Sequence, residues 1–384
     1  MNIKRSINKR INKLFSKKKV ETPENYIINL YQTNYEKKVL VSYITTPFRA
    51  VNSFKHQNYI TSHIVAESFS ELGYDVDIVD FLDQTIPIAY ESYDVIFGIG
   101  DNFERSFQSP SRNIPRIHFI TGAHQDLHNE MSLRSVKDFY RLSNIWLTDE
   151  ANVLPESCYY AMYNADVAII LAKGFIFDDC KNRFENRLHS LNNNILGIFS
   201  LFAIKTMRTS NFLFLSGGRQ ITKGLSLLLE VARLRKDLNF YIVVPHINSI
   251  LETYYEDVLT AENVFLYKDI RMDGEEMRNI IEACSYVLAP SYIDGLPGGT
   301  IEPMSAGLLP IVSKYCGFEK KRFIVEMEEL SVDGVNSAIT SAINLDDHTY
   351  FEYINEVKEY AIENFSKSKV KAHLKTILKS ELSN

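Results

Sequence analysis

Two carboxylates, Asp294 and Glu302, stand eight positions apart in the stretch Pro290-Ser-Tyr-Ile-Asp-Gly-Leu-Pro-Gly-Gly-Thr-Ile-Glu-Pro-Met-Ser-Ala-Gly307. Between them Gly295, Gly298 and Gly299 let the backbone approach a ligand closely, because a residue without Cβ leaves no side chain in the way. From Thr300 a helix can start. Its free N–H groups lie at the positive end of the helix dipole and bind phosphate well. A phosphate cradle flanked by two carboxylates suits a nucleotide sugar, with the carboxylates holding hydroxyls.

A second cluster lies upstream, in Phe212-Leu-Phe-Leu-Ser-Gly-Gly-Arg-Gln-Ile-Thr-Lys-Gly224. It reads as an apolar strand, a turn with Gly217 and Gly218, two cations, and then an amphipathic helix from Leu225. Ligands of α/β domains sit at the carboxyl ends of such strands. Arg219 can fork onto phosphate oxygens, and Lys223 supplies a compact point charge. The turn is not a Walker A loop, since Gly-x-x-x-x-Gly-Lys-Ser/Thr is absent. Alone, the two cations read as solvated charges at a helix start; paired with residues 290–307 they read as phosphate binding.

Together the two stretches resemble the signature of retaining glycosyltransferases of family 4. That family has Glu, seven residues, then Glu within Pro-Ser…Glu-Gly…Glu-Ala-Met-Ala-Gly, and a Gly-Arg…Lys-Gly element before it. This chain departs at Asp294, which is one methylene shorter than the usual Glu. The resemblance implies a GT-B fold, with two Rossmann-like domains facing across a cleft and a last helix crossing back to the first. It implies that Asp294 touches the donor sugar's hydroxyls and that Glu302 holds the ribose. The amides of Gly298, Gly299 and Thr300 would then hold the diphosphate, with Gly218, Arg219 and Lys223 around the leaving nucleotide. Retention at the anomeric carbon is likewise implied. No metal or other cofactor is expected: the cations take a metal's place, and no Asp-x-Asp pair stands in a fitting strand-end context.

The acceptor side is expected in the first half. Thr121-Gly-Ala-His-Gln-Asp-Leu-His-Asn129 follows an apolar strand ending at Ile120, where a reactive loop would sit. His124 suits proton transfer near neutral pH, and the segment is similar to the Tyr-x-Thr-Gly-x-His element of some polysaccharide glycosyltransferases. Asp126 and Glu130 are further candidates. Pro47-Phe48…His56-Gln-Asn58 resembles a cleft-lining stretch after the first strand in related enzymes, which points to His56 and Asn58. With nine histidines in the chain, a surface or hydrogen-bonding role is the plain alternative for each.

The elements that would position these groups alternate strand and helix, which argues for parallel sheets covered on both faces. Strands are expected at Val39–Ile44, Asp75–Asp80, Val95–Gly100, Arg116–Ile120 and Ala165–Leu171 in the first half. In the second half they are expected at Phe212–Leu215, Asn239–Val244, Tyr286–Ala289 and Pro310–Val312. The expected division is a basic amphipathic segment and linker at 1–36, an acceptor domain at 37–185, a nucleotide-sugar domain at 186–345, and helices at 346–384 returning to the first domain.

The chain has 384 residues and is 45% hydrophobic, enough for two full cores. Its four cysteines show no Cys-x-x-Cys spacing, so neither a zinc site nor a disulfide framework is suggested, and a cytoplasmic location follows. Residues 1–20 carry eight cations and no acid, so from a total of −6 the rest of the chain balances to −14. Ile3, Ile7, Ile11, Leu14 and Phe15 give this segment an apolar stripe, which suits peripheral contact with an anionic membrane surface, such as the inner face of the cytoplasmic membrane. A basic tail, a nucleic-acid arm and a targeting peptide are the competing readings. The acidic body argues against nucleic acid as a ligand. The expected function is sugar transfer from a nucleotide-sugar donor to a saccharide or lipid-linked acceptor, in surface polysaccharide or lipopolysaccharide assembly. A nucleotide-sugar epimerase and a non-catalytic scaffold of the same fold are the alternatives.

Overall fold

The computed structural model describes residues 25–49, 57–109, 113–155 and 159–383. The basic segment 1–20 and His56 lie outside them.

Apolar runs build two sheets. The first contains β1 (Tyr26–Ile27), β2 (Lys37–Tyr43), β3 (Tyr74–Asp80), β4 (Val95–Gly98), β5 (Arg116–Ile120), β6 (Val167–Ile170) and β7 (Arg187–Ser190). Their order is β1-β3-β2-β4-β5-β6-β7, and every pair is parallel except β1 with β3. The second contains β8 (Asn211–Leu215), β9 (Asn239–Val244), β10 (Val264–Lys268), β11 (Tyr286–Ala289), β12 (Leu309–Ser313) and β13 (Val325–Met327), in the all-parallel order β10-β9-β8-β11-β12-β13. Leaving aside the antiparallel edge strand β1, the chain in each sheet starts at an inner strand, β2 or β8, and works outward in both directions. The point where that direction reverses opens a crevice at the strands' carboxyl ends.

Five helices matter for the site: α1 (Asn58–Glu71), α2 (Gln125–Ser143), α3 (Gly298–Ser305), α4 (Asp347–Phe365) and α5 (Lys367–Leu382). The break between α4 and α5 falls at Ser366, which is extended. Helix α4 packs on α3 in the second half, while α5 crosses to α1 in the first. Its Val370, Leu374, Ile377 and Leu378 are buried in the same cluster as Ile64, Val65 and Phe69 of α1. Alongside runs an ion ladder: Glu67 pairs with Lys367 and Lys371, and Glu71 with Lys371 and Lys375, at 2.6–3.0 Å.

The two halves share one core. Leu127, Met131 and Phe139 of α2 are buried in the same apolar cluster as Leu225, Tyr255 and Tyr292 of the second half. Phe139 meets Tyr254 edge-on at 5.8 Å between ring centroids. At the rim Tyr254 donates to the Leu142 carbonyl at 3.2 Å, and Tyr292 to Asp138 at 3.3 Å. Among the described residues no helix is long and apolar enough to cross a membrane.

Candidate active site

The two sheets meet at their carboxyl ends, and the glycines of the 290–307 stretch explain how closely. A Cβ on Gly295 would lie 2.7 Å from Gly122 Cα in the loop after β5, and one on Gly298 would lie 2.0 Å from the Gln57 side-chain amide at the start of α1. On Gly299 it would lie 1.9 Å from the Leu215 carbonyl oxygen at the end of β8. These positions are small because backbone or a side chain from another element fills the space.

Helix α3 begins at Gly298 with no side-chain cap, so the N–H groups of Gly298 and Gly299 have no acceptor within the helix. Thr300 N–H turns back to the Pro297 carbonyl at 2.9 Å. The turn after β8 ends beside this helix end. Arg219 takes a left-handed backbone (φ 63°) and is exposed together with Gly217 and Gly218. Lys223 reaches back and donates to Asp294 Oδ2. Asp294 Oδ1 accepts the Gly295 N–H at 3.0 Å, while the Asp294 N–H is tied to the Tyr315 carbonyl at 2.9 Å. Gly224 is required by its φ of 83° and by the Pro290 carbonyl oxygen, which a Cβ would meet at 2.0 Å. The two motifs therefore form one constellation, with Lys223 joined to Asp294 beside the amino end of α3.

Glu302 lies in the seam between the halves and is fully buried. Its Oε1 accepts the Leu196 N–H and, at 3.5 Å, the Gln57 side-chain amide; Oε2 has no hydrogen-bond partner. Burial pushes this carboxyl up to about 8, against the lowering effect of those two donors. A buried carboxylate oxygen without a donor is costly. A ligand hydroxyl would relieve it.

Sequence reasoning expected His124 in a loop after the strand ending at Ile120; it is the last residue of that loop and the N-cap of the 19-residue helix α2. Its Nδ1 accepts the Asp126 N–H at 3.3 Å, its ring meets Tyr163 edge-on, and Nε2 has no partner. Burial lowers its proton affinity. Asp126 also accepts from Tyr163 at 2.7 Å and lies 3.7 Å from Arg183. The loop carrying His124 does reach the constellation, through Gly122 against Gly295. One turn further along α2, His128 Nε2 donates to the Asn152 carbonyl at 2.8 Å, and the side chain is within electrostatic reach of Lys223 and Asp294. Glu130 is exposed. Asn58 opens α1, and its carbonyl accepts the Ser62 hydroxyl at 2.8 Å.

Sequence reasoning did not single out Glu150. It is buried at the seam, and its Oε2 accepts the Ile221 N–H at 3.2 Å, inside the turn that bears Arg219 and Lys223. No motif surrounds it, so no sequence signal marked it. Among the described residues no group of His, Cys, Asp and Glu has the arrangement to hold a metal ion.

No protein-family model matches the sequence, and no curated protein sequence matches it. Solved structures do. Sucrose-phosphate synthase from Thermosynechococcus elongatus superposes with a TM-score of 0.63 over 90% of this chain and 99% of its own, at 12% identity. The fold is GT-B. Anabaena HepE, solved with UDP and glucose, gives a TM-score of 0.55 over 90% of this chain and 99% of its own, at 11% identity. WaaG, a glycosyltransferase involved in lipopolysaccharide biosynthesis, gives 0.52 over 88% and 98%, at 12% identity. Each covers 88–90% of this chain, so the likeness is not confined to one half.

Proposed function

We propose that this GT-B protein is a glycosyltransferase that moves a sugar from a nucleotide-sugar donor to a saccharide or lipid-linked acceptor, without a metal. The observation that carries the reading is the meeting of Lys223 and Asp294 beside the uncapped amino end of α3. Cleaving a sugar–phosphate bond leaves negative charge on the diphosphate. Lys223, Arg219 and the N–H groups of Gly298 and Gly299 would together stabilise that charge, and such stabilisation is usually the largest catalytic contribution. Asp294, held by Lys223, would orient the donor sugar's hydroxyls. Glu302, with its bare Oε2, would receive the ribose.

HepE, which shares the fold, binds UDP and glucose, in keeping with a nucleotide sugar here. Retention at the anomeric carbon rests on the resemblance of the 290–307 stretch to retaining family 4 enzymes. A place in surface-glycan assembly is in keeping with WaaG and with a cationic amino terminus able to lie on the inner face of a cytoplasmic membrane. The test is release of nucleoside diphosphate from UDP-, GDP- and ADP-sugars with and without acceptor saccharides. A transferase releases it when acceptor is added. Sugar interconversion without acceptor would mark an epimerase, and binding without turnover on any acceptor a scaffold.

A further inference from the structure

The turn that carries Arg219 and Lys223 is held from two sides. Its own half contributes the Tyr292 N–H, which donates to the Thr222 carbonyl at 2.9 Å, and Gln220, whose amide donates to the His246 carbonyl at 2.9 Å. The other half contributes a single-turn 3-10 helix, Thr148–Glu150, anchored by the buried Leu147. From it Glu150 accepts the Ile221 N–H through Oε2 at 3.2 Å, and its carbonyl accepts the Thr222 hydroxyl at 3.0 Å. Thr222 also meets Ser135 of α2 at 3.3 Å, and Asn248 donates to Asp149 at 3.3 Å. Thus the two residues between Arg219 and Lys223 in chain order that face the seam, Ile221 and Thr222, are both bonded to Glu150.

This support is needed locally. Arg219 sits at φ 63°, a conformation that costs a non-glycine residue free energy and persists only where its surroundings enforce it. A neutral acceptor would satisfy the Ile221 N–H, yet the chain places a carboxylate there and buries it. The charged groups around it are Asp149 on its own turn, Arg219 on the turn it holds and His246 after β9. Burial, with Asp149, raises its proton affinity.

We propose that Glu150 is a positioning residue: from the first half of the molecule it holds the turn bearing Arg219 and Lys223 in its diphosphate-binding shape. Diphosphate affinity then depends on the two halves being in contact. The proposal rests on the diphosphate reading of the site given above. It has a proton signature. A diphosphate beside Arg219 adds negative charge near Glu150, favours its protonated form, and so draws in a proton on binding; affinity falls as pH rises and Glu150 ionises.

The test titrates the full-length protein with UDP, GDP and ADP by calorimetry, comparing wild type, Glu150→Ala and Glu150→Gln across a series of pH values. Thermal melts run alongside. Glu150→Ala is expected to weaken binding about 10-fold, by leaving the Ile221 N–H without an acceptor. Glu150→Gln keeps an acceptor: it should match wild type at the acid end of the series, where Glu150 holds its proton, bind tighter than wild type at the alkaline end, and take up less proton, by about 2- to 5-fold effects. Comparing variants at each pH cancels the nucleotide's own titration. Wild-type binding with Glu150→Ala unchanged would overturn the positioning role alone. Should Glu150→Ala fail to fold, Thr222→Val, which removes the second bond to Glu150, takes its place, and wild-type affinity in that variant would overturn it. No binding of any nucleotide by wild type would instead overturn the diphosphate reading itself.

Discussion

The Lys223 ammonium is bonded to the Asp294 carboxylate across 71 positions of sequence, so the two motifs that bear charge in this chain converge on one point. Both side chains keep partial solvent access, at 27% and 17%, and a half-exposed pair of this kind contributes at most about 1 kcal/mol to stability. Its weight falls on chemistry. Lys223→Ala should lower acceptor-dependent turnover about 100-fold or more while leaving the melting temperature within a few degrees. Asp294→Asn should lower it less. Asp294→Glu tests whether the shorter acid is matched to this lysine, and the expected result is reduced turnover.

Glu302 yields a prediction about stability. Its folded-state proton affinity is raised to about 8 by burial, while an unfolded Glu titrates near about 4.3. The contribution of the protonated form is therefore fully present below about pH 4.3 and is lost as pH rises towards 8. Glu302→Gln removes that penalty and keeps the amide oxygen for Leu196 and Gln57. It should be more stable than wild type by roughly 2–4 kcal/mol near pH 7, with the difference vanishing below about pH 4.5. Denaturant melts across that range read it directly. A gap independent of pH would mean the carboxyl is not buried as described.

Neighbouring glycines should respond differently. An alanine at 299 meets the Leu215 carbonyl oxygen at 1.9 Å, which is backbone, so Gly299→Ala must shift α3 against β8 at a cost of about 1–3 kcal/mol. At 298 the obstruction is the end of the Gln57 side chain, which can swing aside, so Gly298→Ala should cost less stability and act chiefly on ligand binding. Thermal melts of the two variants, with and without nucleotide, separate the effects.

The ladder joining α1 to α5 should fail in acid and salt. Lys371 and Lys375 hold Glu71 down to about 2. The stabilisation this gives is present above about pH 4.3 and is lost as pH falls towards 2. Glu71 is 42% exposed, so solvent screening limits its share to a few tenths of a kcal/mol, up to about 1. Lys371→Ala, which touches both acids, should lower the melting temperature by a few degrees at low ionic strength. That difference should shrink at about 1 M salt.

The central strands of both sheets were legible because each is buried on both faces and reads as an apolar run. Those that escaped reading, β1, β7, β10 and β13, all lie at or next to a sheet edge. Their burial is partial, as in Arg187-Leu-His-Ser190. Helix α2 was hidden because its covered face includes Gln125, Ser132 and Ser135, polar groups bonded to Pro155, Asn152 and, across the seam, Thr222, which blur the helical period. The residues proposed to hold phosphate were legible because their spacing is local within each motif. Glu150 was not, because its partners belong to another half of the molecule.

The most direct measurement is calorimetric titration of wild type, Lys223→Ala and Glu302→Ala with UDP, GDP and ADP. One nucleoside diphosphate should bind wild type in the micromolar to sub-millimolar range, with Lys223→Ala weakened about 10-fold or more through the lost charge on phosphate, and Glu302→Ala through the lost ribose contact. Binding left intact in both variants, or absent in wild type, would contradict the nucleotide-sugar site assigned to this seam.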